Sequence, residues 1–143
     1  MEHVMNATKL GLGLVLAGAL SLGTAFAQDE QAAVYKPKVV ATPLVEGPLV
    51  GVDGKTVIIK HFTFPAGYVG GKHFHPGAVF VYILEGTLTI RTANRTLTVS
   101  EGEVYEETPQ VVMWVENMSA SEPVKLVVFQ VGDTGKPMMI KAN

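Results

Sequence analysis

The stretch GYVGGKHFHPGAVFVYILEG, residues 67–86, changes character halfway along. Residues 67–77 hold Gly67, Gly70, Gly71, Gly77 and Pro76, and they read as a loop because glycine and proline interrupt regular structure. Val79–Leu84 is an unbroken apolar run, which predicts a strand buried on both faces. Glu85-Gly86 then turns the chain. His73 and His75 stand just ahead of the strand, separated by Phe74.

Working outward, the same punctuation repeats. Thr87–Thr92 alternates, with Leu88 and Ile90 on one face and Thr87, Thr89 and Arg91 on the other. Ala93-Asn94 predicts a tight hairpin turn, since asparagine tolerates positive φ. Arg95–Val99 alternates through Leu97 and Val99, and Ser100-Glu101-Gly102 turns again. Further strands are expected at Glu103–Glu107, Val111–Glu116 and Val124–Val131. Upstream, Thr56–Phe64 is rich in β-branched and aromatic residues and ends at Pro65-Ala66-Gly67. Residues 28–48 carry Pro37, Pro43 and Pro48 and read as an extended lead-in with one edge strand near Val39-Val40. Seven or eight short strands with no helical periodicity after residue 30 predict an all-β fold, an antiparallel sandwich or barrel.

Composition narrows the function. The chain has 143 residues, enough for one domain with a real core, and a net charge of −2. Without a basic cluster, nucleic acid finds no electrostatic foothold. There is no cysteine, which excludes thiol catalysis, zinc-thiolate sites and iron–sulfur clusters.

The first 27 residues differ from the rest. Lys9 precedes an uncharged run from Leu10 to Phe26, which ends in Ala25-Phe26-Ala27. A weakly basic start, an apolar centre and an A-x-A site are the parts of a secretory signal peptide, cleaved here after Ala27. The run is short for a membrane span of about 20 residues. The mature chain is therefore expected outside the cytoplasm, in the periplasm or secreted, and off the membrane. Its histidines are His61, His73 and His75.

His73 and His75 share a face if the backbone between them is extended, so two imidazoles can grip one ion from the same side. Alone, His-x-His is a weak pattern. Its setting strengthens it. Gly67, five residues, His73, Phe74, His75, Pro76 and the later Gly86 resemble the first conserved motif of the cupin family. Gly102-Glu103-Val104-Tyr105-Glu106-Glu107-Thr108-Pro109, ending at Asn117, resembles the second. The Asn94 hairpin lies where cupins carry their intermotif strands. The resemblance covers roughly residues 45–132. It implies a jelly-roll β-barrel, often dimeric, with a ligand cavity and frequently a divalent metal. On this reading residues 1–27 are the signal peptide, 28–44 the lead-in and 45–143 the barrel domain.

The departures from the family pattern concern the metal. The glutamate of the first motif would fall at Val79 or Phe80, and the histidine of the second at Met113. Of the four family ligands, only His73 and His75 carry over. Two protein ligands are fewer than the usual three or four. Three residues could supply another. Glu106 and Glu107 are adjacent on a strand, so one of them faces inward, and Glu107 is the candidate. Met113 offers a thioether, which favours copper. His61 could join from a neighbouring strand. The metal candidates are thus His73, His75, Glu107 and Met113, for one divalent or copper ion, and a metal-free barrel is the alternative.

Two functions follow. One is a barrel that binds a metal ion, a small molecule or both in a cavity containing His73 and His75. The other is a metal-dependent enzyme, dioxygenase- or isomerase-like, with a non-standard third ligand. Exposed strand edges would let two copies pair as a homodimer.

Overall fold

The computed structural model describes residues 38–143. The leader expected in residues 1–27, and the lead-in up to Pro37, lie outside the described residues. Ten strands follow in order: β1 (Val40–Pro48), β2 (Lys55–Phe64), β3 (His73–Phe74), β4 (Ala78–Glu85), β5 (Thr87–Thr92), β6 (Thr96–Ser100), β7 (Val104–Glu107), β8 (Met113–Glu116), β9 (Val124–Asp133) and β10 (Ile140–Lys141). They form two five-stranded sheets, ordered β1-β2-β9-β4-β7 and β10-β3-β8-β5-β6. Every paired neighbour is antiparallel. The all-β expectation holds.

The core lies between the sheets, and alternation puts it there. On β9, Val124, Leu126, Val128 and Gln130 are buried, while the residues between them are half-buried on the outer face. Val79, Val81 and Ile83 of β4 join them from the same sheet. Leu88, Ile90, Val99, Met113 and Val115 come from the other. A buried side chain of this kind contributes about 1.5–3 kcal/mol.

Two glycines are demanded by geometry. Gly86 turns β4 into β5 at φ +82°, a conformation that side chains resist. At Gly77 a Cβ would collide with the Val131 carbonyl and lie 2.9 Å from Gly132 Cα, so only glycine lets β4 start this close to β9.

The structure corrects several expectations. Val79–Leu84 is not buried on both sides: Phe80, Tyr82 and Leu84 are 37–43% exposed. Their apolar character fills the run without a second layer over them. The edge strand is longer than Val39-Val40 suggested, because β1 pairs with β2 from Val40 to Pro48, with an irregularity between Pro43 and Val45. Asn94 needs no positive φ. The hairpin closes through Thr92 N–H to Arg95 O at 2.9 Å, and the Thr92 hydroxyl accepts from the amides of Asn94 and Arg95. Among the described residues, the non-glycine residue at positive φ is Gln110, at 66°.

Candidate functional site

β3 is only two residues long, yet it sets the histidines. His73 pairs across to Met113 on β8 and to Lys141 on β10. Its Nδ1 lies 2.9 Å from Gly71 O. A carbonyl only accepts, so Nδ1 carries the proton and Nε2 keeps a lone pair when the ring is neutral. His75, two residues on, is buried at 6% exposure. Its Nδ1–H donates to Met138 O at 2.7 Å, and its own carbonyl accepts from Gln110 N–H at 3.0 Å. The two rings stand edge to face with centroids 5.1 Å apart. A backbone carbonyl holding Nδ1–H is a common way to orient an imidazole whose Nε2 does the work.

Glu107 comes from the end of β7. Of the adjacent pair it faces inward, 4% exposed, while Glu106 faces solvent. Glu107 Oε2 stands 3.0 Å from His75 Nε2. The contact misses hydrogen-bond alignment, and Oε2 has no other hydrogen-bond partner among the described residues. Burial by itself would lower the pKa of His75. The Glu107 carboxylate, the Met138 carbonyl and Gln130 outweigh it, and the net shift is upward.

The remaining candidates separate. Met113 is 1% exposed, packed in the core and in register with His73. His61 pairs with Val127, whose side chain is on the outer face of its sheet, so it lies away from His75 and does not join the site. Trp114 donates Nε1–H to Glu116 at 3.0 Å, within a network that Arg91 completes at 2.7 Å. Asn117 of the second motif is a structural clamp. Its Nδ2 lies 2.8–3.1 Å from the carbonyls of Phe64, Pro65 and Glu122.

Two site neighbours went unread in the sequence. Gln130 is the fourth inward position of β9, after Val124, Leu126 and Val128. A polar residue at period two in a buried strand was the available signal. Met138 lies beyond the last expected strand, and nothing local marks its carbonyl.

Beside Met113 opens a cleft of about 350 Å³, lined by Thr92, Asn94, Arg95, Tyr105, Thr108 and Val111. A larger hollow of about 460 Å³ lies around Asn117 and Met118 and includes none of the histidines.

Among the described residues, no three His, Asp or Glu side chains gather as a metal-holding group. The donors at His75 nonetheless fit an ion in kind. Glu107 Oε2 is a buried oxygen without an aligned donor. It lies 3.0 Å from Nε2 of His75, so these two atoms would hold an ion together.

The sequence profile described as "Cupin domain" matches residues 60–130. No curated protein matches the chain. Solved structures do. A cupin superfamily protein from Desulfitobacterium hafniense is 16% identical with a TM-score of 0.56, over 71% of this chain and 84% of that one. A cupin domain from Bordetella pertussis is 20% identical with a TM-score of 0.56, over 70% and 99%. An RmlC-like cupin with a double-stranded β-helix fold from Methanocaldococcus jannaschii is 22% identical with a TM-score of 0.56, over 67% and 82%. At such identities the likeness is one of fold, and it agrees with the two facing sheets and with the motif glycines, histidines and asparagine: the chain belongs to the cupin family.

Proposed function

We propose that this chain binds a small molecule together with one metal ion inside its barrel, at a site centred on His75 and Glu107. The observation that carries this is the buried contact between His75 Nε2 and Glu107 Oε2, with Nδ1 already held by Met138. A buried carboxylate and imidazole beside an apolar wall are the convergent polar groups of a ligand site. His73 and Met113 stand in register beside them. The cleft lined by Thr108, the chain neighbour of Glu107, and by Met113, the register partner of His73, is the space assigned to the organic ligand. When bound, the ion would polarise an oxygen of that ligand as a Lewis acid.

The test is metal content of residues 28–143, made without a histidine tag, beside a His73→Ala/His75→Ala double variant. Each would be exposed to iron, manganese, zinc and copper. One equivalent retained by the wild type and lost by the variant is expected. Equal emptiness of both proteins with all four metals removes the metal from the proposal.

The protein acts outside the cytoplasm, on the strength of the leader-like residues 1–27. A mature N-terminus at Gln28 is expected by mass spectrometry of the cell-envelope or medium fraction. A full-length mass there would contradict it. Two copies pair as a homodimer, supported by the open edge of β1, whose side chains are exposed along nearly its whole length. Light scattering at twice the chain mass is expected, and a monomer mass would refute it.

A further inference from the structure

Val79 has a buried polar neighbour on each side. Across the β4–β7 ladder it faces Glu107, and across the β4–β9 ladder it faces Gln130. The middle of this row is apolar, and both flanks carry oxygens. Gln130 is 1% exposed, and its Oε1 has no hydrogen-bond partner among the described residues. Glu107 Oε2 is in the same condition, touching Nε2 of His75 without aligning to it.

Each of these two oxygens is buried without a donor, and a buried acceptor left unpaired costs its desolvation. His75 uses Nδ1–H on Met138 O, which leaves Nε2 toward Glu107. A cation would take the Nε2 lone pair, the carboxylate and the amide oxygen as donors together.

We propose that Gln130 Oε1 joins His75 Nε2 and Glu107 as the third protein ligand of a divalent ion that prefers nitrogen and oxygen donors. The carboxylate and the amide stand on either side of Val79, one of the two positions where the family resemblance would place a glutamate. Imidazole, carboxylate and amide oxygen together suit manganese, iron or zinc, whereas a soft thioether would be needed to select Cu(I). Met113 stays in the core, in register with His73 on the opposite sheet. This inference rests on the metal reading above and names the donor that reading lacks.

The experiment is a Mn²⁺ titration of residues 28–143, read by calorimetry and by the EPR signal of free Mn²⁺, with Zn²⁺ as a second probe. Gln130→Leu removes the amide at similar volume, and Gln130→Glu replaces it with a charged oxygen. The wild type is expected to take one ion. Gln130→Leu should weaken binding by at least about tenfold, and Gln130→Glu should tighten it. If Gln130→Leu binds like the wild type, the assignment of Gln130 is overturned while the metal reading stands. If Gln130→Leu does not fold, Gln130→Glu decides, and unchanged affinity there overturns the assignment. A wild type that takes neither ion, its acceptors served by water, overturns both.

Discussion

Glu107 and Val79 face each other directly across the β4–β7 ladder. A carboxylate expected on β4 is therefore absent from that strand and present on its neighbour, in the same row and on the same buried face. Both side chains are buried, from neighbouring strands, on that face. Glu107→Val alone should lower metal affinity by at least about a hundredfold and leave His75 without its partner. Adding Val79→Glu should recover affinity to within about tenfold of the wild type. Calorimetric titration of the single and double variants checks this. A double variant no better than Glu107→Val would show that the row position does not matter.

His75 gives the metal-free protein an unusual pH dependence. Its pKa is raised in the folded state, with burial opposed and outweighed by Glu107, Met138 and Gln130. A group raised on folding contributes stability that is fully present below its unfolded pKa, about 6.5. That contribution is lost as pH rises through the higher folded value. The melting temperature of the metal-free protein should therefore fall as pH rises above about 6.5 and through that higher folded value. His75→Gln should flatten that limb. Glu116 acts in the opposite direction. The Arg91 guanidinium holds its carboxyl below the usual range, so its contribution is lost as pH falls through that lowered pKa. Thermal melts from about pH 2 to 9 separate the two limbs, since the Glu116 limb lies below the ordinary carboxylate value of about 4.3.

The strands were legible where alternation was clean. On β5, Leu88 and Ile90 mark the inner face, and both are buried. β4 misleads because Phe80, Tyr82 and Leu84 are apolar but exposed. Periodicity cannot distinguish a strand covered on both sides from one with a bare apolar outer face. At the site, parity put one of Glu106 and Glu107 inward, the structure shows that it is Glu107, and the His-x-His pair was visible outright. The Val79 row was not visible, because it depends on how β7 and β9 register against β4 across about 30–50 residues of chain. Met138 is further from legibility still, since a backbone carbonyl carries no sequence signature.

Asn117 belongs to the second motif but not to the site. Its side chain meets the carbonyls of Phe64, Pro65 and Glu122 and accepts from Ser119 N–H at 3.0 Å, while it is 2% exposed. Asn117→Ala leaves several buried backbone groups unpaired at about 1–3 kcal/mol each, less what water recovers. A loss of about 3 kcal/mol is expected from denaturant unfolding. Metal stoichiometry of the fraction that remains folded should stay at one. A loss of metal from that fraction would place Asn117 in the site after all.

Gln110 holds a strained backbone conformation. Among the described residues it is the non-glycine residue at positive φ, at 66°. The left-handed region costs a side chain about 1–2 kcal/mol, because Cβ crowds the following carbonyl. The conformation is held because Gln110 N–H donates to His75 O at 3.0 Å, tying the β7–β8 connection to the residue that carries the site. Gln110→Gly keeps that amide and removes the crowding. Glycine also gives the unfolded chain more freedom, which offsets part of the gain. The net expectation is a stabilisation of about 0.5–1 kcal/mol, or a few degrees in Tm for a domain of this size, with metal affinity unchanged. Gln110→Pro is the opposing control: its ring forbids this φ and removes the N–H, so it should destabilise the fold and loosen His75. Paired melts of the two variants decide the point, and a Gln110→Gly protein less stable than the wild type would show that the Gln110 side chain contributes more than its backbone strain costs.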